Sequence, residues 1–492
     1  MGGDGDRSAI GARLQAPPLG ADELDRARFG FHKAHPHLSA RRTLYVTQLL
    51  ALLAIVAGLY FAWSTAPQTT FSAFHVLALS LFAAAIFWRL FAAASLAPLQ
   101  ASVLAPADSP MYTLLCPLYR EANVVGELIA AINRLDYPKH QLDVKLLIEE
   151  DDEATKNAAL ALAMEPHFEV LVIPPAAPRT KPKALNIGLA RARGVYVGVY
   201  DAEDRPHPQQ LRAALAAFEA GGESLVCVQA PLVIDNAGAA WIARQFAAEY
   251  AIQFAQILPL LARLGLPMPL GGSSNHFRTD ALRAAGGWDA FNVTEDADLG
   301  YRLARIGLRC GLIAPPTSEE APVTIGAWFN QRTRWLKGHM LTWLVLMRDP
   351  VRTAREMGLA AFLSMQLVLA TGVLAAFAHG PLACVLLAAA LTPYDLLGPA
   401  DLVLAVSGYS VGAFAALTAC ALSGNLSHAR AAFTMPLYWP LASLAAARAL
   451  FELIARPHYW SKTEHGLSRR AEIGVQRNAF NNAHMTPTSA SA

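Results

Sequence analysis

Val197-Gly198-Val199-Tyr200-Asp201-Ala202-Glu203-Asp204 is a short β-rich run that ends abruptly in three acids. A helical pattern begins at Pro208 and continues to Ala220. Strand, acidic turn and helix together make one unit of a parallel α/β sheet, and such sheets bind ligands at the carboxyl ends of their strands. Adjacent acids repel, and a nearby cation relieves them. One or two carboxylates completing their coordination with diphosphate oxygens suit Mg²⁺ or Mn²⁺. Acids in the first turn of a helix also favour its dipole without any ligand. The motif therefore takes its meaning from its neighbours.

Upstream, the same alternation repeats. Met111–Leu118, Val144–Ile148 and Val170–Ile173 read as strands, and Glu121–Arg134 and Lys156–Met164 as helices. Leu146-Leu147-Ile148 runs into Glu149-Glu150-Asp151-Asp152-Glu153, where a carboxylate can accept hydrogen bonds from a base or ribose. Asp151 is the preferred register and Asp152 the other; taken alone, such a run reads more often as a solvated turn. Lys181-Pro182-Lys183 puts two cations before a helix, with Lys183 as the candidate phosphate ligand. Gly271-Gly272-Ser273-Ser274-Asn275 is small and polar, and permits close approach of a ligand.

Downstream, Thr294-Glu295-Asp296 opens an amphipathic helix through Leu299, Leu303 and Ile306. Thr294 suits an N-cap. A carboxylate there, Asp296 or its neighbour Glu295, can take the proton from an attacking hydroxyl in a closed cleft. Gln331-Arg332-Thr333-Arg334-Trp335 follows. Arg334 offers a fixed fork for an anionic leaving group, and Trp335 an apolar face for a sugar ring.

Composition separates a membrane part from this globular one. Of 492 residues, 54% are hydrophobic and only 16% charged, against about a quarter charged in soluble domains. A net charge of +2 gives no reason to expect nucleic acid. The five scattered cysteines form no C-x-x-C pair, which fits reduced thiols. Residues 1–40 read as a flexible cytoplasmic arm, residues 41–98 as two spans (Thr43–Trp63 and Phe71–Leu96), and 99–320 as the α/β domain. Residues 321–350 read as an interfacial helix, 351–456 as further spans, and 457–492 as a cytoplasmic tail. Within 351–456, Gly358–Ala378 and Leu402–Ser423 read as spans, and Pro381–Leu391 as too short to cross. Ala431–Ile454 is either interfacial or bent. That gives four crossings, or six. Arg41 and Arg42 before the first span, and a connector free of Lys and Arg, put the N-terminus and the α/β domain inside. The tail run Tyr459–Gly466 is either a plain tail or a loop returning to the active-site mouth.

In order and spacing, Asp151, Asp201-Ala202-Glu203-Asp204, Thr294-Glu295-Asp296 and Gln331-x-x-Arg334-Trp335 resemble a known series. It is the D, DxD, TED, QxxRW series of membrane-embedded family 2 glycosyltransferases of the cellulose synthase-like type. The resemblance covers roughly residues 43–465. It implies a Rossmann-like GT-A catalytic domain in the cytoplasm, joined to an α-helical transmembrane region in the inner (plasma) membrane. It also implies a nucleotide-sugar donor, a UDP-sugar first, with Mg²⁺ or Mn²⁺. By the same resemblance Glu121 and Asp151 contact the nucleoside, and Asp201 and Glu203 or Asp204 face metal and diphosphate. Asp296 is the base, Arg334 binds diphosphate, and Gln331 and Trp335 belong to the acceptor side. The expected product is a growing β-linked polysaccharide; the alternative is single transfer to a lipid acceptor.

Overall fold

The computed structural model describes residues 16–95, 109–163 and 165–462. Residues 1–15 of the arm, Leu96, Met164, and Arg469 and Arg470 of the tail lie outside the described residues.

A seven-stranded sheet runs in the order β3 (Phe168–Ile173), β2 (Leu142–Glu149), β1 (Tyr112–Leu118), β4 (Tyr196–Val199), β8 (Asn275–Arg278), β6 (Leu225–Gln229), β9 (Arg309–Leu312). Strands β3, β2, β1 and β4 are mutually parallel, and β8 runs antiparallel between β4 and β6. Successive side chains of a strand face opposite sides of the sheet. Leu114 and Cys116 accordingly pack with Val125, Leu128, Leu215 and Phe218 on one face, whereas Leu115 packs with Leu185, Leu189, Leu299 and Leu303 on the other. A second sheet joins β5 (Arg205–Pro206), β10 (Thr317–Glu319) and β7 (Leu232–Ile234). This is a mixed α/β sheet, as the strand–helix alternation implies. The expected strands match to within two residues, but the first helix begins at Val125 rather than Glu121, since Glu121 is still in the loop after β1.

Five helices are long and apolar enough to cross a membrane: Val46–Thr65, Pro67–Ala94, Leu359–Leu391, Pro399–Leu422 and His428–Ala455. Leu359–Leu391 corrects the reading that Pro381–Leu391 is a separate short segment. A proline removes the N–H that would bond the carbonyl four residues earlier. Here the Ser443 hydroxyl lies within hydrogen-bond reach of that carbonyl, Phe377 O, at 3.2 Å and of Ala376 O at 2.5 Å, so the helix continues through Pro381.

The arm is also corrected from residue 16 onward. Ala21–Ala34 is a helix docked on the α/β domain. Arg191 donates to Glu23 at 2.7 and 2.9 Å, and Asn186 to Ala27 O at 3.1 Å. Phe31 and Ala27 are buried beneath it.

Ile325–Leu346 forms as one helix, capped where the Thr324 hydroxyl accepts from Ala327 N at 3.2 Å. It lies between the α/β domain and the apolar helices. Both ends of the last helix region are also tied to the helices Trp241–Ile252 and Ile325–Leu346. Thr434 accepts from Trp241 Nε1 at 3.0 Å, and Glu452 pairs with Lys337 at 2.9 Å.

Candidate active site

A cleft of about 920 Å³ opens at the carboxyl ends of β1, β2 and β4 and continues between the apolar helices. Of the residues expected from sequence, Glu121, Asp201, Glu203, Glu295, Asp296, Gln331, Arg334 and Trp335 line it together. Two loops entering it hold non-glycine residues at positive φ, Arg120 at 57° and Ser274 at 55°. Strain of this kind gathers at functional sites.

Asp151, Asp152, Lys183 and Asp204 are not on its walls. Asp151 is 42% exposed and paired with Arg179 at 2.7 Å. Asp152 is a helix cap: it accepts from Thr155 N at 3.2 Å and from the Arg120 amide. The acid that faces the cleft from this run is Glu149, the last residue of β2. Lys183 is turned to Glu149 at 2.8 Å. Lys181 instead reaches the cleft, where its ammonium pairs with Asp201 and donates to Gly272 O at 2.7 Å. Residues two apart on a helix lie about 200° apart, so only one of the two lysines can face the site. Asp204 is buried and accepts from Asp201 N at 2.7 Å, fixing the turn that aims Asp201.

Burial opposes charge on Lys181, but Asp201, Glu295 and Asp296 outweigh it and hold its pKa above the ordinary lysine value. Glu295 is pushed up to about 8, first by burial and then by Asp296. Burial also raises Asp296, against the Ala297 amide, Lys181 and Arg334. That amide donates to Asp296 Oδ1 at 2.7 Å and fixes the carboxylate. A Cβ at Gly272 would sit 3.3 Å from Asp296 Oδ2, so glycine keeps space beside the acid. Thr294 precedes the helix Glu295–Arg305 but does not cap it through its side chain; the hydroxyl turns to Asn292 instead.

Arg334 donates weakly to Val293 O at 3.5 Å, and its Nε is buried without a partner. A buried cation with a spare donor, beside Glu295 and Asp296, is poised for an anion. Trp335 packs against Phe246 and Tyr250 at 5.6 and 6.2 Å between centroids. Arg332 is structural: it pairs with Glu249, which also accepts from Tyr438 at 2.7 Å.

Glu319, from the second sheet, was not legible in the sequence. It lines the cleft and is pushed up to about 8 by burial, by Glu203 and by Asp201. No group of three His, Cys, Asp or Glu converges for a metal among the described residues. Two carboxylates, Asp201 and Glu203, facing a space large enough for diphosphate still fit Mg²⁺ or Mn²⁺, which take part of their coordination from substrate phosphates.

The segment after the last helix returns to this cleft, as one of the two sequence readings has it. Lys462 pairs with Glu121 at 2.7 Å and donates to Arg120 O at 3.2 Å. The Arg334 guanidinium lies 4.5 Å from the centroid of Trp460.

Residues 196–394 match the family described as Glycosyl transferase family group 2. A β-monoglucosyldiacylglycerol synthase of Synechocystis sp. is 28% identical over 285 residues, covering 56% of this chain and 58% of that protein. A probable glucomannan 4-β-mannosyltransferase 7 of Oryza sativa is 25% identical over 241 residues, covering 47% of this chain and 41% of the relative. The chain thus spans about half the length of the curated relatives it matches. Among solved structures, mannosyltransferase PcManGT from Pyrobaculum calidifontis, in complex with GDP-Man and Mn²⁺, aligns at TM-score 0.47 and 19% identity. That alignment covers 77% of this chain and 97% of the other.

Proposed function

We propose that this chain, which carries a family 2 glycosyltransferase domain, is an inverting membrane glycosyltransferase. It moves a hexosyl unit from a nucleoside diphosphate sugar, a UDP-sugar first, to a lipid hydroxyl. The observation that carries the reading is the continuity of the cleft. Asp201, Asp296 and Arg334 stand at one end, and Ile257, Val368, Leu369 and Met435 line the other. Those apolar side chains accommodate a lipid tail, which needs no hydrogen-bond partners there. The β-monoglucosyldiacylglycerol synthases among the relatives support the same acceptor class.

In this mechanism Glu121 and Glu149 face the nucleoside, and Lys181 and Arg334 face the diphosphate. Asp201 and Glu203 would hold Mg²⁺ or Mn²⁺, which would offset the charge that grows on the leaving group. The acceptor oxygen bonds to the anomeric carbon as the carbon–oxygen bond to diphosphate breaks, and Asp296 takes the hydroxyl proton. Attack opposite the leaving group inverts the centre. Arg334 stabilises the departing anion in a site shielded from water. Trp460 and Lys462 close over this region and exclude solvent.

Elongation of a β-linked polymer is the second reading. It is favoured by Gln331-x-x-Arg334-Trp335, by Trp335 on the cleft wall, and by the glucomannan mannosyltransferases among the relatives. Asp296→Asn tests the enzyme reading common to both: transfer is lost while the protein stays abundant in membranes. Unchanged turnover contradicts the assignment of the base.

A further inference from the structure

Arg89 lies in the apolar helix Pro67–Ala94, five residues from its end. An arginine so placed ordinarily snorkels outward to the head groups. This one lines the cleft, whose wall also includes Gln253, Gly372 and Trp439. Its guanidinium stands 5.7 Å from the Trp439 centroid. Trp439 is itself a fixed platform, stacked on His379 at 5.1 Å and on Tyr409 at 5.4 Å. It is seated against Gly412, where a Cβ would come within 2.1 Å of the indole. Among the described residues Arg89 has no hydrogen bond or ion pair. The one acid acting on it, Glu249, is taken by Arg332 and Tyr438.

A cation held in a cleft between apolar helices without a counter-ion points to a ligand that carries the opposite charge. At the other end of the cleft, Lys181 and Arg334 are given to the donor diphosphate in the reading above. The acceptor must therefore place its hydroxyl at Asp296 and its anion toward its tail. We infer that the acceptor is an anionic lipid, with a phosphate seated on Arg89 between the apolar tail and the hydroxyl-bearing head. Two sources share this chemistry: a phosphoglycerolipid with a polyol head, and a saccharide linked to a lipid through diphosphate. The inference rests on the lipid-acceptor reading above.

The test uses the full chain in zwitterionic nanodiscs, supplied with whichever of UDP-glucose, UDP-N-acetylglucosamine and GDP-mannose it consumes. Phosphatidylglycerol, a polyprenyl diphosphate saccharide and neutral diacylglycerol are compared as acceptors. One phosphate-bearing lipid is expected to have a KM about tenfold below that of diacylglycerol, and its identity names the source. Arg89→Gln raises that KM about tenfold, the KM for the nucleotide sugar moves less than about twofold, and Arg89→Lys recovers most of the loss. A diacylglycerol KM equal to or below both others overturns the inference, as does an Arg89→Gln effect that is the same on all acceptors. The wild-type ranking decides even where the variant does not fold. A protein that extends a soluble oligosaccharide and glycosylates none of the lipids overturns the lipid reading itself.

Discussion

Glu295 and Asp296 are neighbours buried in one pocket, and they cannot both carry charge cheaply. Burial pushes Glu295 up to about 8 and raises Asp296 as well; with Asp296 as the proposed base, we propose that Glu295 keeps the proton the pair shares. Two consequences can be measured. Asp296→Asn lowers kcat by about 10²–10⁴. Glu295→Gln, which mimics the protonated acid, costs less than about tenfold. Because burial raises Asp296 above the ordinary aspartate value, kcat/KM falls with decreasing pH on a limb displaced upward from that value. A limb at the ordinary value contradicts the assignment. That Asp296, Arg334 and Asp201 share one cleft was legible because each belongs to a motif, Asp201 after a strand, Asp296 in a helix's first turn and Arg334 within a helix. Glu149 and Lys181 were not, because within the runs Glu149–Glu153 and Lys181–Lys183 only the backbone decides which side chain turns inward. Glu319 carries no local signal at all, since a second sheet delivers it from far along the chain.

At the level of elements, the site depends on how closely the helix Ile325–Leu346 crosses the start of the helix Glu295–Arg305. Gly338 makes the contact: an added Cβ would lie 2.4 Å from Thr294 Oγ1 and Cγ2. Gly338→Ala is therefore expected to cost about 1–3 kcal/mol through overpacking and to lower kcat by shifting Asp296. Circular dichroism melts and kinetics on the purified variant check both, and a neutral result removes the crossing from the account. A second prediction concerns Glu319 of β10 and Glu295, which opens the helix Glu295–Arg305. Glu319 and Glu295 have folded-state values near 8, above their ordinary 4.5, so the folded protein holds protons that the unfolded chain has released. Their contribution to stability is whole below the unfolded value and is lost as pH rises through the folded one. The melting temperature without ligands should fall between about pH 5 and pH 8, and Mn²⁺ with UDP should restore it more at pH 8 than at pH 5. Equal stabilisation at both values contradicts a charge-relief role for the cation. Most sheet elements could be read in advance from apolar runs. The fate of Pro381 could not, because the hydroxyl that accommodates it, Ser443, comes from another helix.

At the scale of the molecule, the docked helix Ala21–Ala34 and the returning segment through Lys462 both rest on the catalytic domain. We propose that the chain between them crosses a membrane an even number of times. Four crossings follow if the last of the five apolar helices lies along the interface, as its contacts at Thr434 and Glu452 with the catalytic side support. In a cysteine-free background, Ser64→Cys and Asp395→Cys should react with an impermeant maleimide on intact cells, and Gly424→Cys should not. Labelling of Gly424→Cys contradicts the four-crossing arrangement. The central claim is sugar transfer to a lipid through one continuous cleft, and sizing the product tests it most directly. Membranes containing the wild-type chain or Asp296→Asn are incubated with labelled UDP-glucose, UDP-N-acetylglucosamine and GDP-mannose, and the products are separated by length and solvent partition. The account predicts a short glycolipid in the organic phase, made from one donor by the wild-type chain alone. A long water-soluble polymer contradicts the lipid acceptor, and equal product from Asp296→Asn contradicts the mechanism.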